Sequence, residues 1–256
     1  MRRVHLLSTS AAAAMMLSTV AAQAADAFTP PTESDWQITV APYVWAAGIK
    51  GESGLFGLPA QDVDISFIDT LKDLEFTFSG VTEMRKGRLT ISTDVLYGRV
   101  GPDIDTPVGA ADIDATVITF MGTGLIGYSA VMTDTTTIDL VAGARVWSAK
   151  NEFDVTGGVF DGRSPSDGDT WVDPVVGVKF KADVSEKIYL AGWGLVGGFG
   201  VGSDIMWDAM GGMGYRINDK MTMFAGYRGL HDDYSKDGFV SKITQTGPII
   251  GGTFDF

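Results

Sequence analysis

Along most of the chain, apolar side chains recur at every second position, in runs that short polar stretches separate. In the run over 137–147, Ile138, Leu140, Ala142, Ala144 and Val146 alternate with Asp139, Val141, Gly143, Arg145 and Trp147. Because successive side chains of an extended strand point to opposite faces, this period of two predicts strands with one apolar face and one mixed face.

The alternation predicts ten strands, at 36–45, 74–84, 88–99, 112–128, 137–147, 170–182, 188–198, 204–217, 221–230 and 239–256. Short turns alternate with longer connections, except that the connection after the seventh strand is also short. Transmembrane β-barrels have such turns at one end and long loops at the other. Helical spacing within 63–74 predicts a short helical turn in the first connection. A count of eight stays open, because 112–128 alternates irregularly and 188–198 is rich in glycine.

The two faces of these strands distinguish a barrel from a soluble β-sandwich. The apolar rows consist of Trp, Ile, Val, Phe, Leu and Tyr, and the opposite rows of small residues with a few charges of both signs. A sandwich exposes a densely charged face to water and keeps its apolar face as a core. The rows therefore favour an all-β, transmembrane, antiparallel up-and-down barrel over 35–256, with its apolar rows in lipid.

The N-terminal segment predicts export. Basic Arg2 and Arg3 precede a small, apolar stretch over 11–22, and Ala22 and Ala24 form an A-x-A cleavage site. These features indicate a signal peptide over 1–24, cleaved after Sec export, and a periplasmic leader over 25–34. No later apolar run reaches the roughly 18 residues of a spanning helix.

Composition limits the chemistry. Lys and Arg number 19 against 32 Asp and Glu, a formal charge of −13, which argues against a nucleic-acid partner. Because the chain has no cysteine, disulfides and thiolate metal sites are excluded. No metal, cofactor or enzymatic activity is predicted.

The signal peptide, the strand and short-turn repeat over 35–256, Gly226-Tyr227-Arg228 and the ending Gly252-Thr253-Phe254-Asp255-Phe256 carry a family resemblance. The chain resembles the OmpA-type outer-membrane β-barrels of Gram-negative bacteria. The resemblance implies a monomer in the cell outer membrane, in contact with lipid and lipopolysaccharide and inserted by periplasmic chaperones and the barrel assembly machinery. It also implies a C-terminal assembly signal at Ile250, Gly252, Phe254 and Phe256. No peptidoglycan-binding domain is expected after Phe256.

Ten charged residues are predicted to face the lumen, half of them acids and half bases. They are Glu83, Arg85, Asp94, Asp139, Arg145, Asp173, Lys179, Asp208, Arg216 and Arg228. Because isolated buried charges are costly, one interpretation is a salt-bridge network that fills the barrel. The other is a weak pore for ions or small solutes, with Arg85, Arg145 and Arg228 as its determinants.

One His–Asp pair and one pair of aspartates, both at the outward rim of the predicted barrel, provide the enzymatic alternative. His231 with Asp233, and Asp103 with Asp105, weakly resemble the outer-rim pairs of the omptin proteases, in which a histidine with carboxylates activates water. Ordinary solvated loops are the other interpretation.

A last set of aromatic residues lies near predicted strand ends and is predicted to form an interfacial girdle. These residues are Trp36, Tyr97, Trp171, Trp207 and Tyr215.

Overall fold

The structure is a computed structural model that describes residues 35–101, 103–104, 112–157 and 161–256. The predicted signal peptide with Ala22 and Ala24, the predicted leader over 25–34, and Asp105 lie outside the described residues.

The described chain forms one short helix and a single large sheet. The elements are β1 (Gln37–Trp45), β2 (Gly48–Gly54), β3 (Gln61–Ile65), α1 (Phe67–Lys72), β4 (Leu74–Lys86), β5 (Leu89–Val100), β6 (Asp103–Ile104), β7 (Asp112–Met132), β8 (Thr136–Thr156), β9 (Ser166–Asp183), β10 (Ile188–Gly197), β11 (Ile205–Asn218), β12 (Met221–Lys236) and β13 (Phe239–Asp255).

Ten of these strands close into an antiparallel barrel. They are β1, β4, β5 and β7 to β13, each paired with the next in that order. The last strand pairs with the first, in a register that sets Thr39 opposite Asp255 and Val44 opposite Ile250. This closure satisfies the strand edges, which is the condition for a sheet to span a membrane. The predicted all-β barrel of ten strands is confirmed.

The barrel is taller at its loop end than the alternation predicted. We call the end with the four short turns, at 87–88, 133–135, 184–187 and 219–220, the turn end, and the opposite end the loop end. At the loop end, β8 and β9 continue into the polar stretch over 151–169 that was predicted to be a loop, and β12 continues to Lys236. The ladder is held by backbone hydrogen bonds, so it continues where both faces meet water and the side chains no longer alternate.

The first long connection is more ordered than the prediction of a loop. It forms the hairpin β2–β3, which adds to the loop end of β13 by pairing Gly54 with Val240. The predicted helical turn is present as α1, whose N-cap Ser66 accepts a hydrogen bond from the backbone N–H of Asp69. Among the described residues, no helix is both long and apolar enough to cross a membrane.

The observed faces follow the predicted alternation. Outward residues such as Ile126 and Leu140 are 63% and 56% exposed, although both are large and apolar. Their inward neighbours Leu125 and Val141 are buried and pack in a cluster with Val175, Leu195 and Met206. Close backbone approaches require glycine inside the wall, since a Cβ at Gly143 would lie 1.9 Å from the carbonyl oxygen of Gly124.

We expect the outward rows to meet lipid. Replacing Ile126 with Arg would place a charge on this surface and should lower the free energy of unfolding by about 2–4 kcal/mol, the cost typical of Arg near the bilayer midplane. The measurement is urea unfolding of protein folded into lipid vesicles. Leu58→Arg is the control, because Leu58 is 65% exposed in the connection between β2 and β3. Equal effects of the two substitutions would contradict a lipid-facing wall.

Candidate functional site in the barrel interior

The centre of the lumen is occupied by two arginines that share one aspartate. Asp208 accepts hydrogen bonds from Arg145 Nη2 at 2.6 Å and from Arg228 Nη2 at 2.7 Å. The indole Nε1 of Trp193 donates to the other carboxylate oxygen at 2.9 Å. Arg145, Arg228 and Asp208 are fully buried. Burial at this depth is affordable only because the charges are paired and hydrogen-bonded.

Arg228 also carries the network across the lumen. Its Nη2 contacts Asp94 Oδ2 at 2.7 Å, and its Nη1 donates to the hydroxyl oxygen of Tyr43 at 2.8 Å. The Tyr43 hydroxyl donates in turn to Asp94 Oδ1 at 2.8 Å. Two guanidinium groups therefore meet two carboxylates, and the central group carries no formal net charge.

A second group lies nearer the turn end. Arg85 Nη2 contacts Asp139 Oδ2 at 2.6 Å and Glu83 Oε1 at 3.0 Å. Lys179 pairs with the other oxygen of Glu83, and Ser129 donates to Asp139. Two cations again meet two carboxylates. Eight of the ten residues predicted to face the lumen therefore lie in two compensated groups.

The remaining two predicted lumen residues have other partners. Arg216 is placed at the turn end, where it pairs with Asp183 and donates to the carbonyl oxygen of Glu186 at 3.1 Å. Asp173 lies opposite Arg145 across the β8–β9 ladder, but its carboxylate contacts Ser203 instead.

The turn end of the barrel holds a large cavity. A cavity of about 800 Å³ opens there and is lined by residues that include Glu83, Arg85, Lys179 and Trp193. Beyond it, beside Asp94 and Arg145, a second cavity holds only about 20 Å³, which is close to the size of one water molecule. We call the larger cavity the vestibule, and the cavity beside the central group is far smaller.

Aromatic side chains fill the lumen at the loop end. Trp171 stacks on Tyr234 with ring centroids 4.0 Å apart and lies 6.1 Å from Trp147. We call the buried set Met121, Trp147, Trp171, Leu230, Tyr234 and Phe239 the aromatic plug. The girdle prediction is wrong for Trp171, which is 5% exposed. Trp171 is two residues from inward Asp173 and therefore shares its face.

The other four predicted girdle residues lie on outward rows. Trp36 and Tyr215 are 42% and 48% exposed. Tyr97 contacts Phe76, and Trp207 stacks on His231.

The residues of the protease alternative lie away from the lumen, as far as the structure describes them. His231 faces outward, where its Nδ1 lies 2.9 Å from the Thr244 hydroxyl and its ring lies 6.1 Å from that of Trp207. Asp233 shares this face and pairs with Lys242 at 3.2 Å. Asp103 lies in β6, but its side chain and the whole of Asp105 are outside the described residues. The geometry of His231 does not favour the alternative.

A buried polar group at the loop end was missed from sequence. Ser203 contacts Asp173 at 2.8 Å and Asp232 at 2.6 Å, and all three residues are buried. The alternation alone could have identified Asp232 as an inward residue, because it is four residues from inward Arg228 and so lies on the same face of β12. Ser203 lies in a connection and carried no such signal. Among the residues that the structure describes, no cluster of three or more His, Cys, Asp or Glu could hold a metal ion.

Comparisons of the chain with known proteins show similarity at the level of structure. No family model matches the sequence, and no curated protein sequence matches it. The outer membrane protease OmpT from Escherichia coli is 11% identical with a TM-score of 0.53, over 89% of this chain and 98% of that one. The translocator domain of the autotransporter NalP from Neisseria meningitidis is 13% identical with a TM-score of 0.43, over 96% and 97%.

At these identities the likeness to OmpT shows the fold alone, because one fold supports many functions. The chain therefore has the fold of an outer-membrane β-barrel. The finer resemblance to OmpA-type barrels remains a prediction.

The central group should be critical for stability. Asp208→Asn leaves Arg145 without its carboxylate, and we expect a loss of about 3–5 kcal/mol in the free energy of unfolding, as for other broken buried pairs. Urea unfolding in vesicles measures it. Glu75→Gln breaks the half-exposed Glu75–Arg99 pair and should cost at most about 1 kcal/mol. A loss as small for Asp208→Asn would show that Arg145 is not buried in the folded barrel.

Proposed function

We propose that this protein is an integral barrel of the cell outer membrane with a sealed lumen and a structural role. One observation supports it above the others: the central group of Arg145, Arg228, Asp208 and Asp94 fills the barrel with charges that compensate each other. A pore needs a hydrated path, and here the groups that would line it are bonded to one another.

The energy of the central group argues against passive conduction. An ion that passed Asp208 would have to separate it from one of its two arginines, and breaking a buried pair typically costs about 3–5 kcal/mol. The aromatic plug then adds an apolar barrier at the loop end. These features favour the structural interpretation of the lumen charges over the weak pore.

The remaining parts of the proposal follow from the surface. The exposed apolar rows suit outer-membrane lipid, and the polar outward residues above them, such as His231 and Lys242, suit lipopolysaccharide headgroups. We propose Sec export and insertion through periplasmic chaperones and the barrel assembly machinery, with Phe254 and Phe256 in the assembly signal. The proposal includes a monomer without catalytic activity and without a nucleic-acid partner.

Two measurements test this proposal. Outer-membrane fractions run unboiled should show the protein at a different electrophoretic position from boiled samples, because the folded barrel resists detergent. The purified, folded protein should add no stepwise conductance to planar bilayers. Regular open-channel steps from the unmodified protein would contradict a sealed lumen.

A matched pair of triple variants makes the conductance test specific. Removing the seal with Trp171→Ala, Tyr234→Ala and Arg228→Ala should produce stepwise conductance. The control replaces Trp36, Tyr215 and Arg99 with Ala, the same residue types at exposed positions, and should stay silent. Both proteins are first checked for the electrophoretic shift, so that only folded barrels are compared. Silence from a folded triple variant without the seal would show that these three side chains do not close the lumen.

A further inference from the structure

The connection between β10 and β11, residues 198–204, folds into the loop end of the barrel. Its backbone turns sharply, with positive φ at Gly198, Phe199 and Gly200. Gly198 N–H donates to the carbonyl oxygen of Pro174, and Asp204 N–H donates to that of Asp233. A Cβ at Gly202 would lie 2.6 Å from a carboxylate oxygen of Asp173, so this backbone is pressed against β9.

Ser203 is the residue that this connection inserts into the lumen, and it is fully buried. Its backbone N–H donates to Asp173 Oδ1 at 2.6 Å, and its hydroxyl oxygen accepts a hydrogen bond from Trp171 Nε1 at 2.9 Å. The same hydroxyl lies 2.8 Å from Asp173 Oδ2 and 2.6 Å from Asp232 Oδ1. Ser203 therefore joins two carboxylates to the aromatic plug.

If both carboxylates were ionised, the group would lack one of the two hydrogens that its two oxygen–oxygen contacts need. Both oxygen–oxygen distances are those of O–H···O hydrogen bonds, but a serine hydroxyl has one hydrogen and can donate to one carboxylate only. The second contact needs a hydrogen from the other carboxyl group. Asp232 is the better candidate to carry it, because its Oδ2 is buried and has no partner among the described residues, whereas Asp173 also accepts from a backbone N–H.

No ion pair of the described residues compensates this group. The charged or titratable groups nearest to it on each surrounding element are Arg145 on β8, Asp169 and Asp173 on β9, Asp204 before β11, Asp208 on β11, Arg228, His231, Asp233 and Tyr234 on β12, and Lys242 on β13. Arg145 pairs with Asp208, Arg228 with Asp208 and Asp94, and Lys242 with Asp233. Because none of these cations forms an ion pair with Asp173 or Asp232, a proton is the remaining compensating charge.

We propose that the Asp173–Ser203–Asp232 group binds one proton and is a pH-sensitive latch that holds the connection 198–204 against the aromatic plug. Protonated Asp232 donates to Ser203, whose hydroxyl is then free to donate to Asp173. Loss of the proton leaves two buried carboxylates facing a single hydroxyl hydrogen, and the connection is released.

The direction of the pH dependence follows from burial. On the outward face of β12 the last apolar side chain is that of Tyr227, and the polar residues His231 and Asp233 follow it. Asp232 therefore lies on the loop-end side of the apolar outward row. Burial is the main cause that raises the pKa of Asp232 to about 7, against an ordinary value of 3.8. A raised pKa means that the latch is fully stable below the ordinary value and loses stability as the pH rises through about 7. The latch is thus closed in acid and open above neutrality.

A spin label in the connection tests this directly. Because the chain has no cysteine, Val201→Cys gives one labelling site, and Val201 is 72% exposed. We expect the label to be restrained at pH 5 and mobile at pH 9, with a transition near pH 7. A label at Leu58→Cys, in a different loop, is the control and should not change over this range. Equal mobility of the Val201 label at both pH values would overturn the proposal.

Two variants distinguish the effect of the proton on Asp232 from the effect of side-chain packing. Asp232→Asn retains a donor to Ser203 and cannot ionise, so the label should stay restrained at both pH values. Asp232→Ala removes both the donor and the second carboxylate, so it too should abolish the transition near pH 7. An unchanged transition in Asp232→Asn would assign it to another group and overturn the proposal. Infrared difference spectra of folded protein should show a protonated carboxylic acid band at pH 5 that Asp232→Asn lacks, and its absence from the unmodified protein would also overturn it.

Discussion

A sheet of ten strands that closes on itself encloses a space that side chains must fill, and every charge in that space must be compensated. Arg228 is the residue that shows most directly how this structure compensates its buried charges. From β12 it reaches Asp208 on the neighbouring strand β11, and Asp94 and Tyr43 on β5 and β1. Three strands separate β12 from β5. The barrel is therefore tied together across its lumen as well as around its wall.

The same constraint bears on function. A lumen that conducts leaves some of its charges to solvent, whereas here eight of them form two groups without formal net charge. The vestibule at the turn end is wide, but it leads to the central group and then to the aromatic plug. These features support the sealed barrel proposed above over a weak pore.

The structure explains the short connection between β10 and β11 at the loop end. In the sequence it interrupted the alternation of short turns and long loops. In the structure it folds inward and brings Ser203 into contact with Asp173, Asp232 and Trp171. Positive φ at Gly198, Phe199 and Gly200 lets this short connection turn sharply. The acids it meets have no cation partner in the described part of the chain.

The alternation of side chains determined much of this protein by itself. Because a strand has a period of two, the sequence predicted the ten barrel strands and the faces of residues such as Leu140 and Arg145 within them. It did not predict the height of the barrel, since backbone pairing carries β8, β9 and β12 past the point where lipid requires alternation. It also placed Trp171 in the wrong environment, because a tryptophan near a strand end suits either face.

Which charged residues pair with one another was decided only by the tertiary structure. Arg145 lies opposite Asp173 in the sheet and yet pairs with Asp208, which is two strands beyond Asp173 along the wall. Likewise, sequence proximity pointed to His231 and Asp233, whereas the fold turns both outward and buries Asp232 between them in sequence. One sequence fixes the face on which a charge lies, because that depends on local geometry. Which charge it meets depends on how the sheet closes, and closure brings together residues that no local pattern connects.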